Sequence, residues 1–442
     1  MNEKLDLIIV GAGPAGLMAA KTAAEMGLKV TVIEKKRDIS KIRRACCAQF
    51  VMDNGYENES LQIQEGKVLF SKNNFSVPYS GRLVNVKNTY HYSPSGHRIH
   101  FAHPDGRPSA IKFDKGQLLT DLWNECEKLG VELRLETLAC GGEDMGNSVR
   151  LKLESKGKFS SIEAKKLIIA EGAHAKLTGV FGLNKGRALY GMPLVLLYTI
   201  ENTRGFEPES WIQYYGSAYH PFAEIMVGPT LEGDNTIELT VVGTKKRMPE
   251  PIFGNIFYNS PLKENFANSR VINKIGCSLK SYESLSKPYL GNVISIGDSA
   301  AHIEVIVQGA IMCGYHAAKA VNEELNGKYG FEQYTNWWND AFDFNRTEFS
   351  EFISLYGSLA IMPKYSDDEL DYMFSLLDGK TLDGNFSQFE VPKKVWHSIL
   401  EHKTQIQSER PDLFEKIKKI WELDLSDYYL NNKYIDYRCV KN

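Results

Sequence analysis

The stretch Leu5-Asp-Leu-Ile-Ile-Val-Gly-Ala-Gly-Pro-Ala-Gly16, followed by the run Val30-Thr-Val-Ile-Glu34, decides the fold. Its apolar residues predict a strand, its glycines a tight turn, and the residues after them a helix that leads to a second strand. Gly11 permits the turn, Gly13 lets the backbone approach a pyrophosphate, and Gly16 lets the helix pack closely on the strand. A carboxylate then stands where a ribose hydroxyl needs an acceptor, about 20 residues after the turn. The candidate dinucleotide contacts are Gly11, Gly13, Pro14, Ala15, Gly16, Glu34 and Lys35.

The composition is that of a large enzyme without a membrane span. The chain has 442 residues, of which 43% are hydrophobic and 24% charged, and its formal net charge is -3. These values allow two or three structural units and indicate no nucleic-acid partner. We find no signal peptide and no uninterrupted apolar run of 18 residues, so we expect a cytoplasmic protein, with peripheral membrane contact left open. Seven cysteines without a Cys-x-x-Cys pair favour reduced thiols over disulfides or zinc.

Two further apolar strands each end in an acidic residue beside a glycine, in Glu171-Gly172 and in Gly297-Asp298. With the first fingerprint, they resemble the three landmarks of the FAD-binding fold shared by aromatic hydroxylases and geranylgeranyl reductases. The resemblance covers residues 1 to 330 or so, and it implies that FAD is the cofactor and that Gly172 and Gly297 line its site. In that family the carboxylate matching Asp298 holds the ribityl chain.

The fold class that follows is α/β, or α+β overall. Because landmarks near residues 11, 171 and 298 must converge, we expect a discontinuous, Rossmann-like FAD-binding domain with an inserted strand-rich substrate domain and a helical C-terminal region. The expected boundaries are 1–70, 105–178 and 285–330 for the FAD-binding domain, 71–104 and 179–284 for the substrate domain, and 331–442 for the helical region. Strands are expected at 188–200, 223–227 and 236–242, and C-terminal helices at 337–356, 367–377, 393–402 and 411–423.

A segment after the second strand, Arg43-Arg-Ala-Cys-Cys-Ala-Gln49, resembles the Arg-Cys-Gly-Glu stretch beside the flavin in geranylgeranyl reductases. The resemblance implies that Arg44 and Cys46 contact the cofactor and that Cys47 is the matching thiol. A thiol near basic groups can have a lowered pKa, so Cys47 is a candidate for positioning substrate or donating a proton. The other interpretation is a small buried hydrophobe. Lys115, at the start of a predicted helix, stands where the family usually places an arginine near the FAD phosphates. A lysine keeps the positive charge but cannot make the bidentate hydrogen bonds of a guanidinium group.

The third landmark departs from the family. Relatives carry a Pro-x-x-Gly-x-Gly turn before a helix whose amides face the flavin, whereas this chain has Val305, Gln308 and Ala310 at the corresponding places. A helix at 310–324 remains predicted. Amides at its start, from Gln308, Gly309 and Ala310, can still stabilise an anionic reduced flavin through the helix dipole. His302, just after the Gly-Asp pair, is a candidate for proton transfer.

The second landmark bears on the electron source. Hydroxylases read Asp-Gly-x-x-Ser-x-x-Arg here, whereas this chain reads Glu171-Gly-Ala-His-Ala-Lys-Leu-Thr178, without the serine and the arginine. No second Gly-x-Gly-x-x-Gly occurs in the chain. We therefore expect no separate nicotinamide domain and an external electron donor such as a ferredoxin.

Substrate contacts are the least specified part of the sequence. The aromatic residues of the reductases' Tyr-x-Trp-x-Phe-Pro signature are missing from the nearest stretch, 223–229. Tyr215, Tyr219 and His220 are candidate substrate contacts, the alternative being a half-buried sheet edge. His97, His100 and His103 lie between turn signals that predict a solvated hairpin, in which i and i+3 side chains face opposite ways, so we expect no metal site.

These features predict an FAD-dependent oxidoreductase of the geranylgeranyl reductase type. It would reduce a carbon–carbon double bond in an apolar or amphipathic, isoprenoid-like or lipid-like small molecule, with the flavin delivering a hydride and a side chain or water a proton. One alternative is a flavin monooxygenase of the aromatic hydroxylase type. The other is a non-catalytic protein that keeps FAD for structure or binds ligand without turnover.

Overall fold

The computed structural model describes residues 5–53, 55–221, 223–302, 304–345, 365–387 and 390–418. The first twelve strands are β1 (Leu5–Val10), β2 (Val30–Ile33), β3 (Gln49–Val51), β4 (Leu61–Gln64), β5 (Lys67–Phe70), β6 (Phe75–Pro78), β7 (Leu83–Val86), β8 (Asn88–Tyr92), β9 (Arg98–Ala102), β10 (Ala110–Phe113), β11 (Glu132–Arg134) and β12 (Leu138–Asp144). The others are β13 (Val149–Ser155), β14 (Lys158–Ile169), β15 (Leu189–Gly191), β16 (Leu194–Glu201), β17 (Ser210–Tyr214), β18 (Ile225–Pro229), β19 (Ile237–Gly243), β20 (Arg270–Ser278), β21 (Ser281–Tyr282), β22 (Tyr289–Leu290), β23 (Val293–Ser295) and β24 (Thr381–Asp383).

The helices are fewer and several lie near the C-terminus. They are α1 (Pro14–Glu25), α2 (Lys115–Lys128), α3 (Lys176–Val180), α4 (Pro249–Tyr258), α5 (Ile306–Leu325), α6 (Gly330–Ala341), α7 (Asp367–Ser375), α8 (Glu390–Leu400), α9 (Lys403–Glu409) and α10 (Pro411–Lys418). No helix within these described ranges is long and apolar enough to cross a membrane.

The parallel part of a mixed eight-stranded sheet brings the three landmarks together. Its strands lie in the order β11-β2-β1-β14-β23, and each adjacent pair is parallel. Strands β13 and β12 continue the sheet from β14, and β22 pairs with β23, all antiparallel. Gly11, Gly172 and Gly297 follow the carboxyl ends of β1, β14 and β23, which are neighbours. Because the carboxyl ends of parallel strands share one edge of a sheet, the three glycines meet there, where such folds bind nucleotides. The predicted Rossmann-like FAD-binding fold is confirmed.

Close packing of α1 on this sheet depends on its glycines. Gly11 has a φ of +105°, and a Cβ there would overlap the carbonyl oxygen of Ala170. A Cβ on Gly16 would overlap the carbonyl oxygen of Gly11, and one on Gly314 of α5 would overlap that of Ala15. The fingerprint glycines and Gly314 therefore let α1 lie directly against both β1 and α5.

The second large sheet is mainly antiparallel and has the order β20-β16-β19-β18-β17-β8-β9-β24. It takes strands from both predicted substrate segments. One of its faces packs on α4 through a cluster that includes Ile225, Val227 and Ile256. Residues that alternate with these, such as Met226, lie on the other face, because successive side chains of a strand point to opposite sides. The predicted strand at 188–200 is divided in two at Pro193, whose ring removes a ladder donor.

Three smaller sheets complete the strand pairing: β3-β10-β7, β4-β5-β6 and β15-β21. Strands β5 and β6 pair with each other across the domain boundary predicted at residue 70, and Phe70 and Phe75 stack in the same core as α1 and α5. This hairpin is thus continuous with the FAD-binding unit. The domain boundaries stay a prediction.

The C-terminal region contains the predicted helices and one strand that the sequence did not indicate. Helices α7, α8 and α10 match the helices predicted at 367–377, 393–402 and 411–423, although residues 419–423 lie outside the described part of the chain. Helix α6 begins seven residues before the helix predicted at 337–356 and ends at Ala341, with a separate 3-10 turn at Asp343–Asn345, so the predicted helix does not continue through 342–345. Residues 346–356 lie outside the described part of the chain. Strand β24 pairs in parallel with β9, so this region extends the second sheet.

The histidine hairpin forms as predicted but is not fully solvated. Strands β8 and β9 pair around it, and the C-terminal region covers part of it. His97 contacts Asp378, His100 contacts Asn88 and Thr381, and His103 is buried. Within the described residues, no group of three or more His, Cys, Asp or Glu side chains is placed to hold a metal ion.

Candidate active site

The dinucleotide turn leaves room for a ligand where the sequence predicts one. Gly13 has a φ of -84°, and a Cβ placed on it would meet no atom within 4 Å. Pro14 is the first residue of α1, where its missing N–H costs no helix bond. The buried Glu34 carboxylate accepts hydrogen bonds from the amides of Ala12 and Lys36, both at 2.8 Å. The turn thus offers open space above a helix N-terminus, and the residues present fit a bound pyrophosphate.

We expect Gly13→Ala to leave the protein folded and to weaken FAD binding. The new methyl meets no protein atom, so it enters the space that the cofactor would occupy. Overpacking by one methyl typically costs about 1 kcal/mol or more, which is about fivefold in affinity. Titration of apoprotein with FAD, followed by flavin fluorescence, measures the change. Gly254→Ala on α4, which also meets no atom within 4 Å, is the matched control and should bind FAD normally.

At the third landmark, Asp298 joins two other parts of the site. Its Oδ2 accepts a hydrogen bond from Nη1 of Arg44 at 2.7 Å, and its Oδ1 accepts one from the amide of Val305 at 3.0 Å. Nη2 of Arg44 lies 3.8 Å from Oε2 of Glu304. Burial by itself lowers the pKa of Arg44, but Asp298 and Glu304 outweigh it, so the pKa is raised and the guanidinium stays charged. Gly172 borders the same cluster, since a Cβ there would lie 3.9 Å from Nη1 of Arg44.

Glu304 is the third charged member of this cluster. Its side chain is 40% exposed, and desolvation raises its pKa against the opposing effects of Arg44 and Lys115. Lys115 is the first residue of α2, whose N-cap Asp114 accepts hydrogen bonds from the amides of Gly116 and Gln117, so the helix start fixes the position of Lys115 near Glu304.

The Cys47 segment is held by a buried ion pair. Nζ of Lys112 donates a hydrogen bond to the carbonyl oxygen of Cys47 at 2.8 Å and pairs with the carboxylate of Glu238 on β19. The side chains of Lys112 and Glu238 are 5% and 14% exposed. The pair therefore ties the segment that carries Arg44 and Cys47 to the second sheet.

The Cys47 side chain packs at the face of the second sheet opposite α4. It packs with Met226 against a small core formed by Val86, Ala110 and Trp211, whereas Cys46 packs against the main core beneath α1. Burial raises the pKa of the Cys47 thiol, and nearby anionic groups such as Glu238 add to this effect. The expectation of a lowered pKa is thus wrong: the basic side chains nearby are already neutralised by carboxylates.

The start of α5 differs from the expected flavin-facing turn. Val305 is its N-cap and Ile306 has a φ of +50°, a left-handed conformation that β-branched residues rarely adopt. Oε1 of the buried Gln308 accepts a hydrogen bond from the amide of Val51 at 3.0 Å. A Cβ on Gly309 would lie 2.7 Å from the ring of Tyr56, and Ala310 packs on the main core. These three side-chain positions face the protein core, so any flavin contact here involves the backbone.

The other histidine and tyrosine candidates have structural partners. Nδ1 of His302 lies 2.9 Å from the carbonyl oxygen of Tyr282, and burial lowers the His302 pKa to about 4, so the ring is neutral at pH 7. His220 is bonded at both ring nitrogens, to the carbonyl of Val242 and the amide of Ala223. Tyr219 is buried on the α4 face of the second sheet, and Tyr215 packs among the C-terminal helices. The structure does not bring these four residues to Cys47.

Sequence reasoning missed four charged residues of this region: Lys112, Glu224, Glu238 and Glu304. A signal was present for two of them. Lys112 interrupts the apolar strand β10, and Glu238 alternates with buried apolar residues along β19. A charge inside a buried strand indicates either an ion pair or a ligand contact, because an unpaired buried charge is costly.

Comparison with known proteins agrees with the fold described above. A family model described as pyridine nucleotide-disulphide oxidoreductase matches residues 5–193. Digeranylgeranylglycerophospholipid reductase of Methanosarcina acetivorans is 26% identical over 73% of this chain and 75% of its own, and that of Methanocaldococcus jannaschii is 24% identical over 87% and 93%. A geranylgeranyl bacteriochlorophyll reductase-like protein of Thermoplasma acidophilum has the same fold, with a TM-score of 0.70 at 18% identity over 94% of this chain and 99% of that one.

Proposed function

We propose that this protein is an FAD-dependent oxidoreductase, similar to the geranylgeranyl reductases, that reduces carbon–carbon double bonds of an amphipathic, isoprenoid-like molecule. The observation that carries the proposal is the place of Cys47. Its segment carries Arg44, which bonds to Asp298, and Cys47 itself packs at the face of the second sheet opposite α4. A substrate between the two would contact both the flavin side and the thiol. The names of the archaeal relatives support a lipid-like substrate.

Each residue of the cluster has a distinct part in this proposal. Reduced FAD, when bound, would supply the hydride. The helix start of α1 and the Asp298 carboxylate would hold the cofactor, and the Lys112–Glu238 pair fixes the backbone of Cys47. The thiol keeps its proton at neutral pH, so it is available to orient or protonate the second carbon. The sheet face and the C-terminal helices exclude water from the alkene, which is the protein's main contribution to such a reaction.

We propose that electrons come from an external donor such as a ferredoxin. Thr178 and Ala175 stand where hydroxylases have arginine and serine. Thr178 is bonded to the carboxylate of Glu171 and to Ser295, and Ala175 is a buried N-cap with a φ of +46°. Neither residue offers a cationic contact to a nicotinamide cofactor.

The test is an anaerobic single turnover. Holoprotein reduced with dithionite is mixed with geranylgeraniol, and reoxidation of the flavin band is followed together with the saturated product. We expect reoxidation by the alkene and only slow flavin reduction by NADPH. Fast NADPH reduction with oxygen uptake, stimulated by an aromatic substrate such as 4-hydroxybenzoate, would instead identify a monooxygenase. A flavin that responds to neither would identify a non-catalytic protein.

Cys47→Ser gives the matched variant for this assay. We expect it to bind FAD normally and to slow reoxidation about tenfold, the effect of about 1.4 kcal/mol in the barrier. Cys140→Ser is the control, because Cys140 is an exposed free thiol on β12. Normal turnover of the Cys47 variant would show that the thiol serves only in packing.

A further inference from the structure

Strand alternation assigns Glu224 to the face of the second sheet that would border the proposed substrate space. Glu224 directly precedes β18, in which Ile225 and Val227 are buried on the α4 side. Since strand side chains alternate, Glu224 and Met226 belong to the opposite face. Met226 packs against the same small core as Cys47. Glu224 is therefore one pleat along the chain from Met226, about 7 Å away.

Glu224 has no neutralising partner in the part of the chain that the structure describes. Its own backbone amide is the sole hydrogen-bond donor recorded for its carboxylate, and burial raises its pKa to about 7. Glu238, on the same face of the neighbouring strand, is instead paired with Lys112. Desolvating a carboxyl without a partner is costly. Glu224 is only half-buried, so its carboxyl group can be reached by a ligand.

A second polar group stands beside it. Gln213 on β17 is directly opposite Met226 in the strand register and shares its face. Oε1 of Gln213 accepts a hydrogen bond from the hydroxyl of Tyr215 at 3.0 Å, and that hydroxyl lies 3.0 Å from Nδ1 of the buried His91. This chain of bonds fixes the Gln213 side chain and leaves its amide donors without a partner among the described residues. The face thus presents a carboxyl and an oriented amide about 7–8 Å apart on the diagonal.

We propose that Glu224 determines substrate specificity, accepting a hydrogen bond from a hydroxyl or ammonium group that the substrate carries away from its reacting double bond. Gln213 completes this polar end by donating to the same group's oxygen or to a neighbouring one. The inference rests on the proposed function, because it places an amphipathic substrate between the sheet and the flavin. A purely hydrocarbon ligand would leave both groups unsatisfied.

The test compares three probes with the same chain: geranylgeraniol, geranylgeranylamine and geranylgeranyl methyl ether, which has no donor. Binding to the oxidised holoprotein is measured by perturbation of the flavin absorbance, so the result does not depend on turnover. We expect the alcohol and the amine to bind about tenfold more tightly than the ether. Glu224→Leu should abolish this preference and leave the ether's affinity unchanged, and Glu224→Gln should retain part of it for the alcohol. FAD content confirms that each variant is folded.

Glu250→Leu is the control, because Glu250 pairs with Lys274 on the opposite side of the sheet and should not alter the preference. Equal binding of all three probes to the wild type, or an unchanged preference in Glu224→Leu, would overturn the inference. If the preference depends on Glu224 but no probe reoxidises the reduced flavin, the inference stands and alkene reduction fails. If no probe binds, both fail.

Discussion

Breaking the Lys112–Glu238 ion pair is expected to lower the free energy of unfolding by about 3–5 kcal/mol. Both side chains are nearly buried, so Lys112→Met leaves an uncompensated carboxylate and Glu238→Leu leaves an uncompensated ammonium group. Lys112→Met also removes the donor to the Cys47 carbonyl, and Glu238→Leu removes the carboxylate that holds that donor in place. Urea unfolding followed by fluorescence and circular dichroism together provides the measurement.

Two controls separate this effect from general damage. The double variant Lys112→Met, Glu238→Leu removes both charges and should recover most of the stability, since a buried pair is often replaceable by apolar residues. Lys274→Ala breaks an exposed pair and should cost no more than about 1 kcal/mol. Single variants as stable as the wild type would mean that the two charges are solvated and do not hold the Cys47 segment.

Asp298→Ala is expected to weaken FAD binding by about ten- to 150-fold. In the proposed site this carboxylate accepts hydrogen bonds from the ribityl hydroxyls, and a hydrogen bond to a charged group contributes about 1.5–3 kcal/mol. The change also leaves Arg44 without its 2.7 Å partner and the amide of Val305 without its acceptor. Equilibrium titration of apoprotein with FAD measures the loss.

Asp298→Asn refines this result, because an amide oxygen can still accept from one hydroxyl while the charge is lost. We expect it to bind FAD with an affinity between those of the wild type and Asp298→Ala. The control is Asp383→Ala on β24, which removes an exposed carboxylate from the second sheet. This variant should bind FAD normally. Wild-type affinity in Asp298→Ala would mean that the third landmark is not at the cofactor.

The parts of the site that were predictable from sequence are those fixed by local geometry. The turn at Gly11 and Gly16 needs glycines because a Cβ would overlap the adjacent backbone, and that requirement is readable in twelve residues. Gly172 and Gly297 were expected at the same sheet edge because each stands beside an acidic residue at the end of an apolar strand. These features depend on few contacts outside their own segment.

The parts that were not predictable depend on distant pairing. Lys112 and Glu238 are 126 residues apart, and nothing in either segment specifies the other. Gln308 resembles a turn residue in sequence, yet its amide is used to hold β3. Tyr215 lies in an aromatic run suited to a substrate, but its ring is enclosed by helices from the C-terminal region. In each case tertiary packing, rather than local pattern, decides the direction of the side chain.

The pairing of β24 with β9 has a consequence for the synthesis of this chain. Strand β9 is complete at Ala102, but the strand that covers its outer edge begins at Thr381. While the ribosome makes the intervening residues, β9 presents unpaired amides and carbonyls together with Ile99 and Phe101, which are buried in the finished protein. Exposed edges of this kind pair readily with other chains. Pairing of β24, which cannot form until Thr381 has been made, therefore protects the protein from aggregation through this edge.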